Sequence, residues 1–115
     1  MRNGLIIDSD GTKRWYQSNR LHRKDGPAVE RVSGSKMWYQ NNRLHRKDGP
    51  AVEHADGHRF WYQNNRRHRT DGPAVEHADG DKEWWLRGNR YNFNQWLKHT
   101  NYTEAEKTLM RLQHA

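Results

Sequence analysis

The sequence predicts a mainly β protein, an elongated antiparallel β-meander of hairpin repeats closed by a short C-terminal helical cap. Three observations indicate this fold class. Tryptophans recur every 23 residues, at Trp15, Trp38, Trp61 and Trp84. The words WYQ, N-R, H-R and DGPAVE return between them in the same order. Short aromatic segments alternate with turn residues, as expected for strands in tight hairpins. Such a period indicates units that bury their apolar faces against their neighbours.

The tryptophans also define the repeat boundaries within one structural domain. The successive segments are an N-terminal half repeat (1–14), three full repeats (15–37, 38–60 and 61–83), a partial repeat (84–91) and the helical cap (92–115). In the half repeat, Ile6 falls where the full repeats have Val29, Val52 and Val75.

Composition limits the class of protein. Only 31% of the 115 residues are hydrophobic, so six Trp, five Tyr and two Phe must supply much of the core. Disorder is rejected because the aromatic residues recur in phase with the turn signals. The chain has no cysteine and no run of apolar residues long enough to span a membrane, which predicts a cytoplasmic protein without disulfides.

Each unit begins with a predicted hairpin. The aromatic strand around Trp38 is followed by Asn41-Asn42 and then by the strand RLHR. The last unit has Arg87-Gly88 in place of the two asparagines. Because Asn and Gly tolerate positive φ, we expect a two-residue turn of the primed type.

Two further signals complete the unit. Asp-Gly-Pro, as at 48–50, predicts a bend or bulge before the strand AVE. Ala55-Asp56-Gly57 predicts a three-residue loop with glycine in the left-handed region.

Residues 4–91 resemble the MORN (membrane occupation and recognition nexus) family. The features that they share with it are the period, the aromatic start of each unit, the His and the late Asp-Gly. The word W-Y-x-N-x-R-L-H-R-x-D-G-P-A-V-E is most similar to MORN-like repeats in small bacteriophage proteins. The resemblance implies a β-hairpin array encoded by a phage and acting inside a bacterial host cell. Asp-Gly-Pro departs from the glycine-spaced segment of standard MORN repeats, so we do not expect lipid binding.

The cap differs from the repeats. The segment 93–99 is compatible with a short helix, and Thr103 to Glu106 form a capping box before a second helix. Ala105, Leu109 and Leu112 are spaced i, i+4, i+7, and we expect this stripe, with Trp96 and Leu97, to cover the last hairpin. The alternative is a helix that binds in a groove of a partner.

Arginine and tyrosine recur once or more per unit and are the candidate partner-binding residues. The candidates are Arg20, Arg43 and Arg66, Arg23, Arg46 and Arg69, and Tyr16, Tyr39 and Tyr62. Two interpretations of the arginines are open. They bind an anionic or protein partner, or they pair internally with the aspartates of the bends and the glutamates of the AVE strands. Since neighbours in a strand point to opposite faces, we expect either the Trp or the Tyr series to be exposed.

One histidine also recurs per unit, at His22, His45 and His68. We expect each to hydrogen-bond the Asp-Gly-Pro bend of its own unit. Metal binding and acid–base catalysis are not expected, because equivalent residues one repeat apart lie about 10 Å from one another. The sequence therefore predicts a non-catalytic protein without metal or cofactor.

The N-terminal strand Leu5-Ile6-Ile7 is apolar and has no evident cap, so we expect self-association or capture of a partner strand at this edge. The favoured function is a protein-protein interaction module that binds a host protein, as an inhibitor of an enzyme or as a trigger recognised by a defence system. The alternative is a nucleic-acid-binding protein, since the formal net charge is +7 and arginines lie beside aromatic residues.

Overall fold

A computed structural model describes residues 2–114; Met1 and Ala115, at the ends of the predicted half repeat and cap, lie outside the described residues. The molecule is elongated, with extents of 50 × 28 × 21 Å. It is an antiparallel array of β-hairpins followed by two helices, which confirms the predicted fold class.

The strands are short and evenly distributed. They are β1 (Gly4–Ile7), β2 (Lys13–Gln17), β3 (Arg20–Leu21), β4 (Val29–Glu30), β5 (Lys36–Met37), β6 (Tyr39–Gln40), β7 (Arg43–Leu44), β8 (Val52–Glu53), β9 (Arg59–Phe60), β10 (Tyr62–Gln63), β11 (Arg66–Arg67), β12 (Val75–Glu76), β13 (Lys82–Leu86) and β14 (Asn89–Tyr91). The helices are α1 (Phe93–Lys98) and α2 (Glu104–His114). Neither helix is long and apolar enough to cross a bilayer.

One large sheet runs through the array in the order β1-β2-β4-β5-β8-β9-β12-β13-β14, with β3 paired to β2. Two small hairpins, β6-β7 and β10-β11, lie outside this sheet. Each full repeat thus contributes strands to the large sheet and one tight hairpin, which is separate from that sheet in the second and third repeats and joined to it through β2 in the first.

A tryptophan marks the point where the chain leaves the large sheet for the hairpin. Trp38 N–H donates to the Ala51 carbonyl across the large sheet at 2.7 Å. The Trp38 carbonyl accepts from His45 N–H across the small hairpin at 3.0 Å. One residue therefore serves both ladders, and the predicted aromatic strand is divided at its tryptophan.

The two-residue turns have the predicted conformation. Asn41 and Asn42 have φ of 50° and 65°, and Arg87 and Gly88 have φ of 50° and 80°. Positive φ at both positions defines the primed turn that matches strand twist. The loop glycine Gly57, with φ of 100°, also has the predicted conformation.

These turns hydrogen-bond the preceding repeat. Asn42 N–H donates to the Leu21 carbonyl at 2.9 Å, and the Asn42 Oδ1 accepts from Leu21 N–H at 2.6 Å. The other loops are connected in the same way, since Ala55 N–H donates to Ser35 Oγ at 3.0 Å. Adjacent repeats are therefore joined by side chains as well as by the β-ladder.

The core is a narrow row of small residues that ends in an aromatic cluster. Ala28, Ala51 and Ala74 are fully buried, and the valines that follow them are nearly so. At the C-terminal end, Trp84, Leu86, Trp96, Leu97 and Met110 form the largest buried cluster. The helices thus cover the last hairpin, as a terminal unit of a repeat array must.

The prediction that the apolar stripe of α2 covers the last hairpin is wrong. Ala105 is exposed, and Leu109 and Leu112 are 59% and 79% exposed. The buried residue of α2 is Met110, flanked by half-buried Lys107 and His114 at i−3 and i+4. The helix is oriented by the contact of His114 with the Trp84 ring, at 5.1 Å between ring centroids, rather than by its leucines.

Substitution of the second turn residue separates its two roles. Asn65→Gly keeps the positive φ but removes the acceptor of Leu44 N–H, and we expect a loss of about 1 kcal/mol of unfolding free energy. Asn65→Ala also imposes left-handed strain, so its loss should be roughly 1 kcal/mol larger. Urea unfolding measures both. Gly88→Asn is the reverse control, since it supplies an acceptor for Arg67 N–H and should stabilise. Equal stabilities of the Gly and Ala variants would contradict the conformational role.

Candidate binding surface

The repeated arginines fall into two rows with different environments. We call Arg23, Arg46 and Arg69 the stacked arginines. Their guanidinium carbons lie 3.8, 3.8 and 3.9 Å from the ring centroids of Trp15, Trp38 and Trp61. This geometry is a close cation–π stack, which favours arginine over lysine because the guanidinium is planar.

The stacked arginines also donate hydrogen bonds to acceptors in their own repeat. In the second repeat, Arg46 Nε donates to Asp48 Oδ1 at 3.0 Å and Arg46 Nη1 donates to the Pro50 carbonyl at 3.0 Å. The same Nη1 lies 3.6 Å from Glu53 Oε1. The internal pairing that was one of two interpretations of the arginines is therefore present in this row.

The glycine of Asp-Gly-Pro is explained by the same contact. A Cβ on Gly49 would lie 2.9 Å from Arg46 Cζ, closer than side chains tolerate. The sequence Arg-Lys-Asp-Gly-Pro thus forms a bend around its own arginine. Asp48 and Pro50 supply the acceptors and Gly49 supplies the space.

The other row is exposed. We call Arg20, Arg43 and Arg66, which begin the second strand of each tight hairpin, the outer arginines. Within residues 2–114, no outer arginine has an ion pair or a side-chain hydrogen bond to another residue. Their positive charge is consequently directed to solvent and available to a partner.

A groove of about 630 Å³ lies beside this row. Its lining residues are Arg43, Gln63, Asn64, Arg66, His68 and Arg87, and none of them carries a carboxylate. By contrast, a groove between the stacked arginines of the first two repeats includes both Asp25 and Asp48. The charged residues that line the first groove are therefore all arginines, whereas the second groove has its charges partly balanced.

Sequence analysis missed Arg87 as a member of this surface. It occupies the first turn position of the last hairpin, where the earlier units have Ser18, Asn41 and Asn64. Alignment of the four turns shows the substitution, but the turn conformation alone gives it no function. Its contribution to the groove depends on the stacking of the last hairpin against Arg66.

The repeated histidines connect neighbouring units, and the predicted bond to the bend of their own unit is wrong. His22 Nδ1 accepts from Asn41 N–H at 3.1 Å, and His45 Nδ1 accepts from Asn64 N–H at 3.1 Å. His68 Nδ1 accepts from Arg87 N–H at 3.0 Å. Each imidazole therefore holds the first turn residue of the next repeat.

Burial, followed by the charge of Lys47, lowers the pKa of His45 below its ordinary value of 6.5. For His68, burial followed by the charge of Arg87 lowers the pKa in the same direction. Both effects favour the neutral ring. A neutral ring is also what an accepting Nδ1 requires, because a protonated Nδ1 cannot accept the turn N–H.

Neither aromatic series is exposed as a row, which corrects the expectation that one would be. Trp15, Trp38 and Trp61 are half-buried because the stacked arginines cover one side of each ring. The three tyrosines at 16, 39 and 62 are also half-buried. Tyr62 Oη accepts from Arg67 Nε at 3.1 Å. The hydroxyl of Tyr62 is thus engaged inside the array.

A second histidine contact joins the loops of the second and third repeats. The Nδ1 atoms of His58 and His77 are 3.1 Å apart, and His77 Nε2 is 2.8 Å from Glu83 Oε2. Burial alone would raise the pKa of Glu83, but hydrogen bonds from His77 and Trp85 lower it below its ordinary value. This cluster is a connection between loops. Across residues 2–114, no group of three or more His, Asp or Glu side chains is arranged to hold a metal ion.

Comparison of the chain with family models, curated proteins and solved structures finds no match. The resemblance to MORN-like repeats accordingly stays a prediction.

A matched pair of substitutions tests the two arginine rows. Arg46→Lys should lower the free energy of unfolding by about 1–2 kcal/mol, because lysine cannot reproduce the stack and the two directed hydrogen bonds. Arg43→Lys, in the same repeat but exposed, should change it by less than about 0.5 kcal/mol. Thermal and urea unfolding measure the difference. Equal effects of the two substitutions would contradict the division into rows.

Because of His45 and His68, we expect the folded chain to lose stability at acidic pH. Their pKa is lower in the folded chain than the unfolded value of 6.5, so the unfolded chain binds protons first as the pH falls below that value. The stabilisation is complete above pH 6.5 and is lost as pH falls through the lowered pKa. The double variant His45→Gln/His68→Gln should flatten this dependence, since glutamine offers an acceptor without titrating.

Unfolding free energy measured across this range checks the prediction. The single variants His45→Gln and His68→Gln should each flatten the slope in part, which separates the two contributions. A residual slope is expected from His114, because burial first and the charges of Lys82 and Arg69 next lower its pKa. An unchanged slope in the double variant would contradict the assignment.

Proposed function

We propose that this chain is a non-catalytic binding module whose outer arginines bind an acidic surface of a partner protein. The observation that supports this most directly is the difference between the two rows. The stacked arginines have internal acceptors, whereas Arg43 and Arg66 line a groove without a carboxylate. Exposed arginines without an internal acceptor are suited to carboxylates because they offer two parallel donors.

The repeat histidines and aspartates support a role without catalysis. An imidazole such as His45, which accepts from a turn N–H, has its Nδ1 committed to structure. Asp48 is committed to Arg46 in the same way. Residues that would be candidates for acid–base chemistry thus maintain the array.

The resemblance to phage MORN-like repeats supports a bacterial host protein as the partner. In this proposal the chain is an accessory protein of a phage and acts in the host cytoplasm. The host protein is an enzyme that the module inhibits or a defence component that recognises the module. A row of like charges repeated along an elongated array favours a partner with an extended acidic face.

The second candidate is single-stranded nucleic acid, which the net charge of +7 and the basic groove both favour. Hairpin geometry favours the protein partner. Gln40 is paired with Arg43, and Tyr39 is adjacent to Gln40 in the strand, so Tyr39 and Arg43 point to opposite faces. A strand with its phosphates on the outer arginines would not stack its bases on these tyrosines.

Capture from bacterial lysate tests the proposal. The immobilised chain should retain a stoichiometric protein after nuclease treatment, and Arg43→Glu/Arg66→Glu should reduce its retention at least tenfold. Lys98→Glu/Arg111→Glu makes the same change of net charge at two exposed positions of the helical cap that do not line the groove, and should retain the partner.

Recovery of nucleic acid alone, lost at high salt, would favour the second candidate. Equal capture by both double variants would show that net charge, rather than the groove, drives binding, and would contradict the proposal.

A further inference from the structure

Among the described residues, the first strand of the large sheet pairs with another strand on one side only. Strand β1 pairs with β2 in the register Gly4 with Tyr16, Leu5 with Trp15, Ile6 with Arg14 and Ile7 with Lys13. In residues 2–114, no strand pairs with the other side of β1. Such an edge presents backbone donors and acceptors that a further strand can pair with.

The hydrogen bonds of β2 identify which residues carry these open groups. Trp15 N–H donates to the Ala28 carbonyl, and its own carbonyl accepts from His22 N–H, so the backbone groups of Trp15 point away from β1. The backbone groups of successive residues in a strand point to opposite edges, and hence those of Arg14 and Tyr16 point toward β1. The backbone groups of their partners Ile6 and Gly4 point toward β2. The N–H and C=O groups of Leu5 and Ile7 therefore point outward.

The side chains at these two positions are also open to solvent. Leu5 is 47% exposed and Ile7 is 58% exposed. They lie on the same face of the sheet because they are two residues apart. The open edge thus combines two pairs of backbone groups with two adjacent apolar side chains.

We propose that β1 pairs antiparallel with β1 of a second copy of this chain, with the two-fold axis between the two copies of Ile6. This register places Leu5 of one copy opposite Ile7 of the other. All four outward-pointing groups on each strand then form hydrogen bonds. The four exposed apolar side chains come together on one face of a sheet that is continuous through both molecules.

One feature limits this register. Gly4 has φ of 76°, which ends the regular extended edge at Leu5, so only residues 5–7 can pair in full. An isologous contact of this kind closes at the dimer.

Paired charge substitutions test the register. In Leu5→Lys/Ile7→Lys, like charges face each other across the axis, and sedimentation velocity should show a monomer at every concentration. In Leu5→Lys/Ile7→Glu, each lysine faces a glutamate, so the concentration-dependent dimer of the wild-type chain should return. Circular dichroism checks that both variants keep the β-array. A wild-type chain that stays monomeric, or species larger than a dimer, would overturn the proposal.

Cysteine cross-linking provides a second test, since the natural chain has no cysteine. The two copies of residue 6 form a non-hydrogen-bonded pair, with Cα atoms about 4.5 Å apart, within the range of a disulfide. Ile6→Cys should oxidise to a covalent dimer much faster than Val32→Cys, a cysteine at a position that is 72% exposed but lies off the edge. Equal rates would overturn the register. The test involves no outer arginine, so its outcome is distinct from that of partner capture.

Discussion

Each tight turn holds two residues in the left-handed region, and this leaves backbone N–H groups directed toward the preceding repeat. Those groups need acceptors, because a polar group without a partner is costly when it is shielded from water. His22 accepts from the first turn residue of the next repeat and the Leu21 carbonyl accepts from the second. The Asn42 side chain in turn accepts a hydrogen bond from Leu21 N–H. The spacing and order of the hairpins depend on this set of bonds.

The stacked arginines serve the same array from within each unit. Arg46 lies on the Trp38 ring and donates to the bend that begins the next strand. A tryptophan too large for the narrow core is thus covered by a cation whose charge is balanced by Asp48 and Glu53. In the last unit the helices replace the arginine, since Phe93, Trp96 and His114 surround Trp84. The helical cap and the stacked arginines thus have the same role, which is to cover the indole ring of a repeat tryptophan.

Much of the fold could be predicted because turn chemistry is local. Asn41-Asn42 and Arg87-Gly88 indicate left-handed turns without knowledge of any distant residue. The partner of His45 could not be predicted, because it depends on the offset between repeats rather than on the period. The prediction of which face of α2 is buried was wrong for a similar reason. Its leucines form a regular stripe, but contacts with Trp84 decide which side of the helix is covered. The separation of the arginine rows likewise depends on Gly49 allowing close approach.

The bonds from the helical cap make the last repeat different from the others. Trp96 Nε1 donates to the Arg69 carbonyl at 3.0 Å, and Tyr102 Oη donates to the Thr70 carbonyl at 2.7 Å. Internal units contact only units like themselves, so duplication or loss of a whole internal unit would preserve each type of junction. The array can therefore change in length by whole repeats during evolution. The contacts between neighbouring repeats, and those between the last repeat and the helical cap, would stay the same.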